Sequence, residues 1–204
     1  MSPAIEINTA HVKQLREATG AGVLDCRKAL VETKGDFEKA VVYLREKGLA
    51  TAAKHAGREA RQGVLDLYSH GSGRVGVMVE VKCETDFVAR TEEFRRFAHE
   101  VALQIAAANP RYVDVADVPA EALEAERARA RARAREEGKP ENVWDRIAEG
   151  MLEKFYAEAC LLRQPYVRDD KRTVGDLLKE AISTTKENIL IRRFTRWEVG
   201  ETAE

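Results

Sequence analysis

Between residues 74 and 83 the valines Val75, Val77, Val79 and Val81 occupy every second position. A period of two puts all four on one side of an extended strand, where a helix would scatter them. The strand must therefore bury one face, and the rest of the chain has to supply the cover. Just before it, Gly71-Ser72-Gly73 reads as a turn whose glycines accept positive φ, and residues 63–70 read as a second short strand. This segment is a hairpin with one buried side, and it is where the periodicity of the chain changes.

Upstream the period is helical. Asn8-Thr9 is placed to cap a helix carrying Val12, Leu15 and Ala18, and Gly20 and Gly22 end it. A second helix runs through Val23, Leu24, Ala29, Leu30 and Val31 until Lys34-Gly35. Asp36 caps a third, with Phe37, Ala40, Val41 and Leu44, up to Gly48. Residues 49–62, LATAAKHAGREARQ, are alanine-rich and basic, with apolar groups too small for a core, and read as a helical or flexible linker. Downstream, Thr91 caps a helix with the stripe Phe94, Phe97, Ala98, Val101, Ile105 and Ala108. Pro119 and Pro140 open two more helices. Thr173 and Asp176 form a cap of the Ser/Thr-x-x-acid type, and residues 188–199 read as a long last strand. The expected fold is α+β: a three-helix module at 1–48, a linker at 49–62, and a core at 63–204 with a small three-stranded antiparallel sheet packed with helices.

Composition narrows the function. The 34 Lys and Arg against 35 Asp and Glu leave a net charge of -1, which gives no overall attraction to nucleic acid or to an anionic membrane. Cys26, Cys83 and Cys160 are odd in number, widely spaced and free of a CxxC pair, which argues against a disulfide framework or a zinc site and for a reducing cytoplasm. The start, Met1-Ser2-Pro3-Ala4, lacks the pattern of a signal peptide, and no apolar run approaches the ~20 residues that span a bilayer. A soluble cytoplasmic protein without membrane association is expected.

Catalytic patterns are missing. His11, His55, His70 and His99 sit in no HExxH or HxE arrangement, and the chain has no GxSxG elbow, Walker loop or GxGxxG. Isolated surface histidines are the better reading, and neither an enzyme nor a bound cofactor or metal is expected. Arg127, Arg129, Arg131, Arg133 and Arg135 alternate with alanine. They suggest a nucleic-acid patch as an alternative function. Yet arginines two apart spread around a helix, acidic residues flank them, and no aromatic interleaves them for base stacking, so a solvated helix face is favoured and no nucleic-acid partner is expected. A hydrolase with an unrecognised site is the other rival.

Two segments stay open from patterning alone. Residues 84–90, ETDFVAR, join a buried strand to the Thr91 cap. Thr85 or Asp86 can cap one turn while Phe87 packs back on the core, or Phe87 can be displayed on a rigid loop for a partner. Val23 and Leu24, adjacent at a helix start, cannot both face one small core. One is expected to be exposed, either as a loosely packed edge or as an apolar docking patch.

Residues 15–30, LREATGAGVLDCRKAL, and 80–90, EVKCETDFVAR, resemble the two signatures of the elongation factor Ts family. Residues 149–155, 161–167 and 187–201 are similar to its later core and final strand, in the expected order. Where many members carry two methionines this chain has Val23-Leu24, and Lys82 stands where asparagine is common. The chain is also short, with sequence for about one core subdomain where long members have two. The resemblance implies a non-enzymatic guanine nucleotide exchange factor of translation elongation whose partner is the GTPase elongation factor Tu. A ubiquitin-associated-like helical module would dock through Val23 and Leu24. Thr85, Asp86, Phe87 and Val88 would disturb the partner's magnesium and phosphate site. Phe87 would push between side chains that position the magnesium ligands, and Asp86 would hold the loop or accept hydrogen bonds from partner backbone. The sheet's second face, part of which would be left exposed, and the lack of a second subdomain lead to a homodimer as the expected state, the competing view being that the Arg127–Arg135 helix or the Thr173 helix folds over that face.

Overall fold

The computed structural model describes residues 8–202, so the start Met1–Ala4 lies outside it. The chain packs as two compact units. One takes the chain up to Gly63, Lys82–Phe97 and Leu178–Leu190; the other takes Val64–Val81, Ala98–Leu177 and the chain from Ile191 onward.

The first unit holds α1 (Thr9–Thr19), α2 (Val23–Glu32) and α3 (Phe37–His55). Each start carries a local reason. Asn8 Oδ1 accepts from His11 N, and Asp36 Oδ1 accepts from Lys39 N, satisfying amide groups that a helix start leaves without partners. Gly20 ends α1 at φ 66°, a left-handed conformation that glycine adopts without a Cβ clash. Val12, Leu15, Cys26, Ala29, Leu30, Ala40 and Leu44 form one buried cluster, and Phe37, Val41 and Tyr43 pack around it. Helix α3 does not stop at Gly48 but continues to His55, because the residues that follow Gly48 are good helix formers. The same unit contains α4 (Asp86–Arg90), the start of α5 (Glu92–Ala108) and the second half of α8 (Val174–Thr185). Gly48 lies against Ser183 of α8, where an added Cβ would meet the serine side chain at 3.5 Å.

The second unit is built on a three-stranded sheet in the order β1 (Gln62–His70), β2 (Val75–Cys83), β5 (Leu190–Glu198). The four alternating valines of β2 are all buried. Ala98, Val101, Ala102, Ile105 and Ala106 form the buried stripe of α5 in this unit. Helices α6 (Ala120–Glu136) and α7 (Trp144–Ala159) pair as a hairpin, burying Ala130 and Ala134 on one side and Ala148, Leu152 and Phe155 on the other. The α+β class, the three-helix start and the three-stranded sheet are as expected. A second, two-stranded sheet was not: β3 (Pro165–Tyr166) pairs antiparallel with β4 (Asp169–Thr173). Its polar sequence DDKRT has no apolar alternation to announce a strand. Tyr166 anchors the hairpin by donating to Glu100 Oε2 at 2.5 Å, joined there by Arg168 Nε at 2.6 Å. Burial first, and the Glu100 carboxylate second, push the Tyr166 phenol up to about 12. At the start of α8, Gly175 has no room for a side chain: a Cβ would stand 2.8 Å from the carbonyl oxygen of Leu162.

Candidate functional site

Strand β2 ends at Cys83, whose buried thiol donates to the Thr85 carbonyl at 3.1 Å. Burial, with the negative charge of Glu187 adding to it, pushes this thiol up to about 11, so it stays protonated and unreactive. Three residues later, at Asp86, α4 begins. Thr85 is its N-cap, in extended backbone, with Oγ1 accepting from Val88 N at 3.3 Å. Asp86 pairs with Arg90 one turn on, at 2.8 Å. Ala89 is buried and pins the helix by its small face, while Val88 is half-buried. Phe87 points the other way and is 78% exposed. The reading in which Phe87 packs back on the core is therefore overturned. Residues 86–90 form a single helical turn, and a side chain at its second position shares no face with Ala89.

The segment is held by residues that no local pattern announced. Glu187 Oε2 accepts from the backbone N–H groups of Glu84 and Thr85, both at 3.0 Å, and its Oε1 accepts from the Thr85 hydroxyl at 2.5 Å. In return Asn188 N donates to Glu84 Oε1 at 2.6 Å, and Asn188 Nδ2 donates to the Arg58 carbonyl at 2.6 Å. Asn188 is buried. About a hundred residues of chain separate these partners, so spacing alone does not join them. The one available signal was a charged and an amide residue placed directly before an apolar strand.

In the helical module, Val23 and Leu24 open α2, and both are exposed, Leu24 at 82%. Cys26, Ala29 and Leu30 take the buried face of the helix instead. Asp25 between them accepts from Lys47 Nζ at 2.5 Å and lies 3.6 Å from Lys186 Nζ. The Lys47 hydrogen bond is the main reason its carboxyl sits below the usual carboxylate range. The apolar pair is thus displayed on a helix whose first turn is tied down by charge.

The remaining candidates are not assembled into sites. Arg127 bonds Glu124 at 2.6 Å, Arg129 bonds Glu126 at 2.8 Å, Arg131 bonds Asp145 at 2.8 Å and Arg133 bonds Glu137 at 2.9 Å. Four of the alternating arginines thus spend their charge on neighbouring carboxylates. His99 contacts Asp66, and His70 contacts Tyr68, each at 3.1 Å. Among the described residues, no group of three or more His, Cys, Asp and Glu side chains is placed to hold a metal ion, and no helix is long and apolar enough to cross a membrane.

A family model described as Elongation factor TS matches residues 33–201. The Elongation factor Ts of Caldanaerobacter subterraneus subsp. tengcongensis is 61% identical over 198 residues, covering 97% of this chain and 99% of the relative. That of Moorella thermoacetica is 57% identical over 96% of each chain, and that of Desulfitobacterium hafniense is 55% identical over 98% of this chain and 92% of its own. The chain belongs to the elongation factor Ts family of translation elongation factors.

Proposed function

We propose that this protein is a guanine nucleotide exchange factor that binds elongation factor Tu in its GDP form, disturbs the magnesium and phosphate site, and releases GDP so that GTP can enter. The observation that carries this reading is Phe87, a large apolar side chain displayed at 78% exposure on a helical turn whose base is fixed by hydrogen bonds. An exposed aromatic on a fixed support suits insertion between partner side chains. Thr85 and Val88 shape the turn, and Asp86 offers a carboxylate beside the aromatic. Residues 1–48 dock through Val23 and Leu24, residues 49–62 connect, and residues 63–204 present the turn.

The physics is thermodynamic linkage. GDP and the factor each bind the GTPase well alone and poorly together, and each lowers the other's affinity by the same ratio. Ordinary allosteric couplings run ~1–3 kcal/mol, and efficient exchange needs more than that. No covalent bond changes, so the protein is not an enzyme in the chemical sense. Its action belongs to the cytoplasm, where elongation takes place.

The same reading includes a homodimer. Asp66 of β1 reaches His99 on α5, and Arg196 of β5 donates to the Ala106 carbonyl on α5. Their neighbours Leu65, Leu67 and Trp197 therefore stand on the opposite face of the sheet, with Met78 between the buried valines, and all are exposed. Neither α6 nor α8 covers these side chains. Apolar burial contributes ~25 cal/mol per Å², so mating this face with a second copy favours association. The deciding experiment is release of fluorescent GDP from purified elongation factor Tu. Acceleration by substoichiometric amounts of this protein supports the proposal, and an unchanged rate refutes it.

A further inference from the structure

We propose that Glu187 is a positioning residue for nucleotide release, and that the stretch Lys186, Glu187, Asn188 ties both partner-contacting patches to one frame. The inference rests on the exchange-factor reading. It concerns how Phe87 is held, which that reading leaves open.

A five-residue helix such as α4 closes too few hydrogen bonds to hold its own direction, because helix nucleation is unfavourable and only propagation recovers it. Its orientation has to come from outside. Glu187 supplies it through three donors, two backbone N–H groups and the Thr85 hydroxyl. The hydroxyl proton is thereby committed to Glu187, which leaves the oxygen's acceptor side turned to Val88 N. The chain of bonds runs from Glu187 through the Thr85 oxygen into the helix that carries Phe87. Charge-assisted bonds of this kind are the stronger ones, and two acceptor oxygens with three donors fix direction as well as distance.

The neighbours of Glu187 extend the frame. Lys186 ends α8 in a left-handed conformation at φ 62°, with its N–H on the Ile182 carbonyl at 2.9 Å, and this turns the chain sharply out of the helix. Its ammonium group lies 3.6 Å from Asp25, next to Val23 and Leu24. On the other side Asn188 binds Glu84 and the Arg58 carbonyl, and Arg58 approaches Glu84 at 3.6 Å. Three consecutive residues thus hold the start of α2, the base of α4 and the end of the connecting segment, all within one compact unit. A partner that meets Leu24 and Phe87 together needs their spacing set in advance. Otherwise ordering the turn would be charged against binding each time.

The test is the dependence of the GDP release rate on factor concentration, with elongation factor Tu carrying fluorescent GDP, for the full-length parent, Glu187→Ala, Glu187→Gln and Phe87→Ala. Misplaced contact groups cost rate more than affinity when docking lies elsewhere. Glu187→Ala is expected to lower the maximal release rate at least about tenfold, with the half-saturating concentration within about threefold of the parent. Glu187→Gln, which keeps a carbonyl acceptor for the two N–H groups, is expected to fall between. Glu187→Ala combined with Phe87→Ala is expected to be no slower than Phe87→Ala alone, because the clamp acts only through the aromatic. A merely structural role would instead lower the melting temperature and reduce the active fraction without this split. If Glu187→Ala does not fold, Glu187→Gln carries the test alone. An unchanged maximal rate in the folded Glu187 variant, with Phe87→Ala slow, overturns the positioning role and leaves the exchange reading intact. An unchanged rate in Phe87→Ala as well overturns both.

Discussion

Phe87 and Trp197 are exposed to nearly the same extent, 78% and 76%, yet their surroundings differ in kind. Phe87 stands alone among charged neighbours, Glu84, Asp86 and Arg90, on a turn clamped by Glu187. Trp197 shares a sheet face with Leu65, Leu67 and Met78, and with the Arg193–Glu80 ion pair at 2.7 Å. A single apolar group on a fixed support suits insertion into a partner. Several apolar side chains spread over one sheet face suit a matching flat surface. The contrast shows that exposure alone does not assign a role: the number of apolar side chains sharing the face and the stiffness of the support divide the two.

The largest effect is expected from Phe87→Ala. Truncating a central aromatic anchor costs ~2 kcal/mol or more, which corresponds to a roughly 30-fold slower maximal GDP release. An exposed side chain contributes little to folding, so the melting free energy should stay within ~0.5 kcal/mol of the parent. A destabilised variant with normal release would place Phe87 with the packed residues and erase the contrast. Next, Trp197→Arg should weaken self-association about tenfold or more while leaving exchange by the monomer in place. Sedimentation equilibrium at micromolar concentration checks it. The parent is expected at twice the chain mass and the variant to shift toward 22.9 kDa, and a parent already at 22.9 kDa removes the interface from the sheet face.

Replacing Val23 and Leu24 together by serine sharpens the comparison within the first unit. If docking and release are separate tasks, the half-saturating concentration should rise about tenfold with the maximal rate unchanged. A fall in maximal rate alone would assign the pair to release. The smallest effect concerns Asp25. Its carboxyl titrates lower in the folded chain than in the unfolded one, chiefly through Lys47. Its contribution is therefore complete above about pH 4 and lost as the pH falls through the lower folded value. The partial exposure of the Asp25 and Lys47 side chains keeps this below ~1 kcal/mol. Melting curves between about pH 6 and 3 should show less acid sensitivity in Asp25→Asn than in the parent; equal curves would remove the ion pair from the account.

Patterning by itself marked most of the elements. The period-two valines made β2 a strand buried on one side, and Asn8, Asp36, Thr91 and the Thr173–Asp176 pair marked helix starts whose capping bonds the structure contains. These features are local, since a cap or an apolar stripe depends on residues within one or two turns. The same locality explains what stayed hidden. Whether Phe87 turned inward or outward depended on which face of α4 met the core, and Ala89 took that face. The β3–β4 hairpin is held by Glu100, far away in sequence, and not by an apolar pattern of its own. The Glu187 clamp joins hydrogen-bonding groups about a hundred residues apart. A carboxylate in a sequence carries no mark of the donors it will meet. Only folding, by bringing the end of α8 beside the end of β2, decided that this one would hold the turn that carries Phe87.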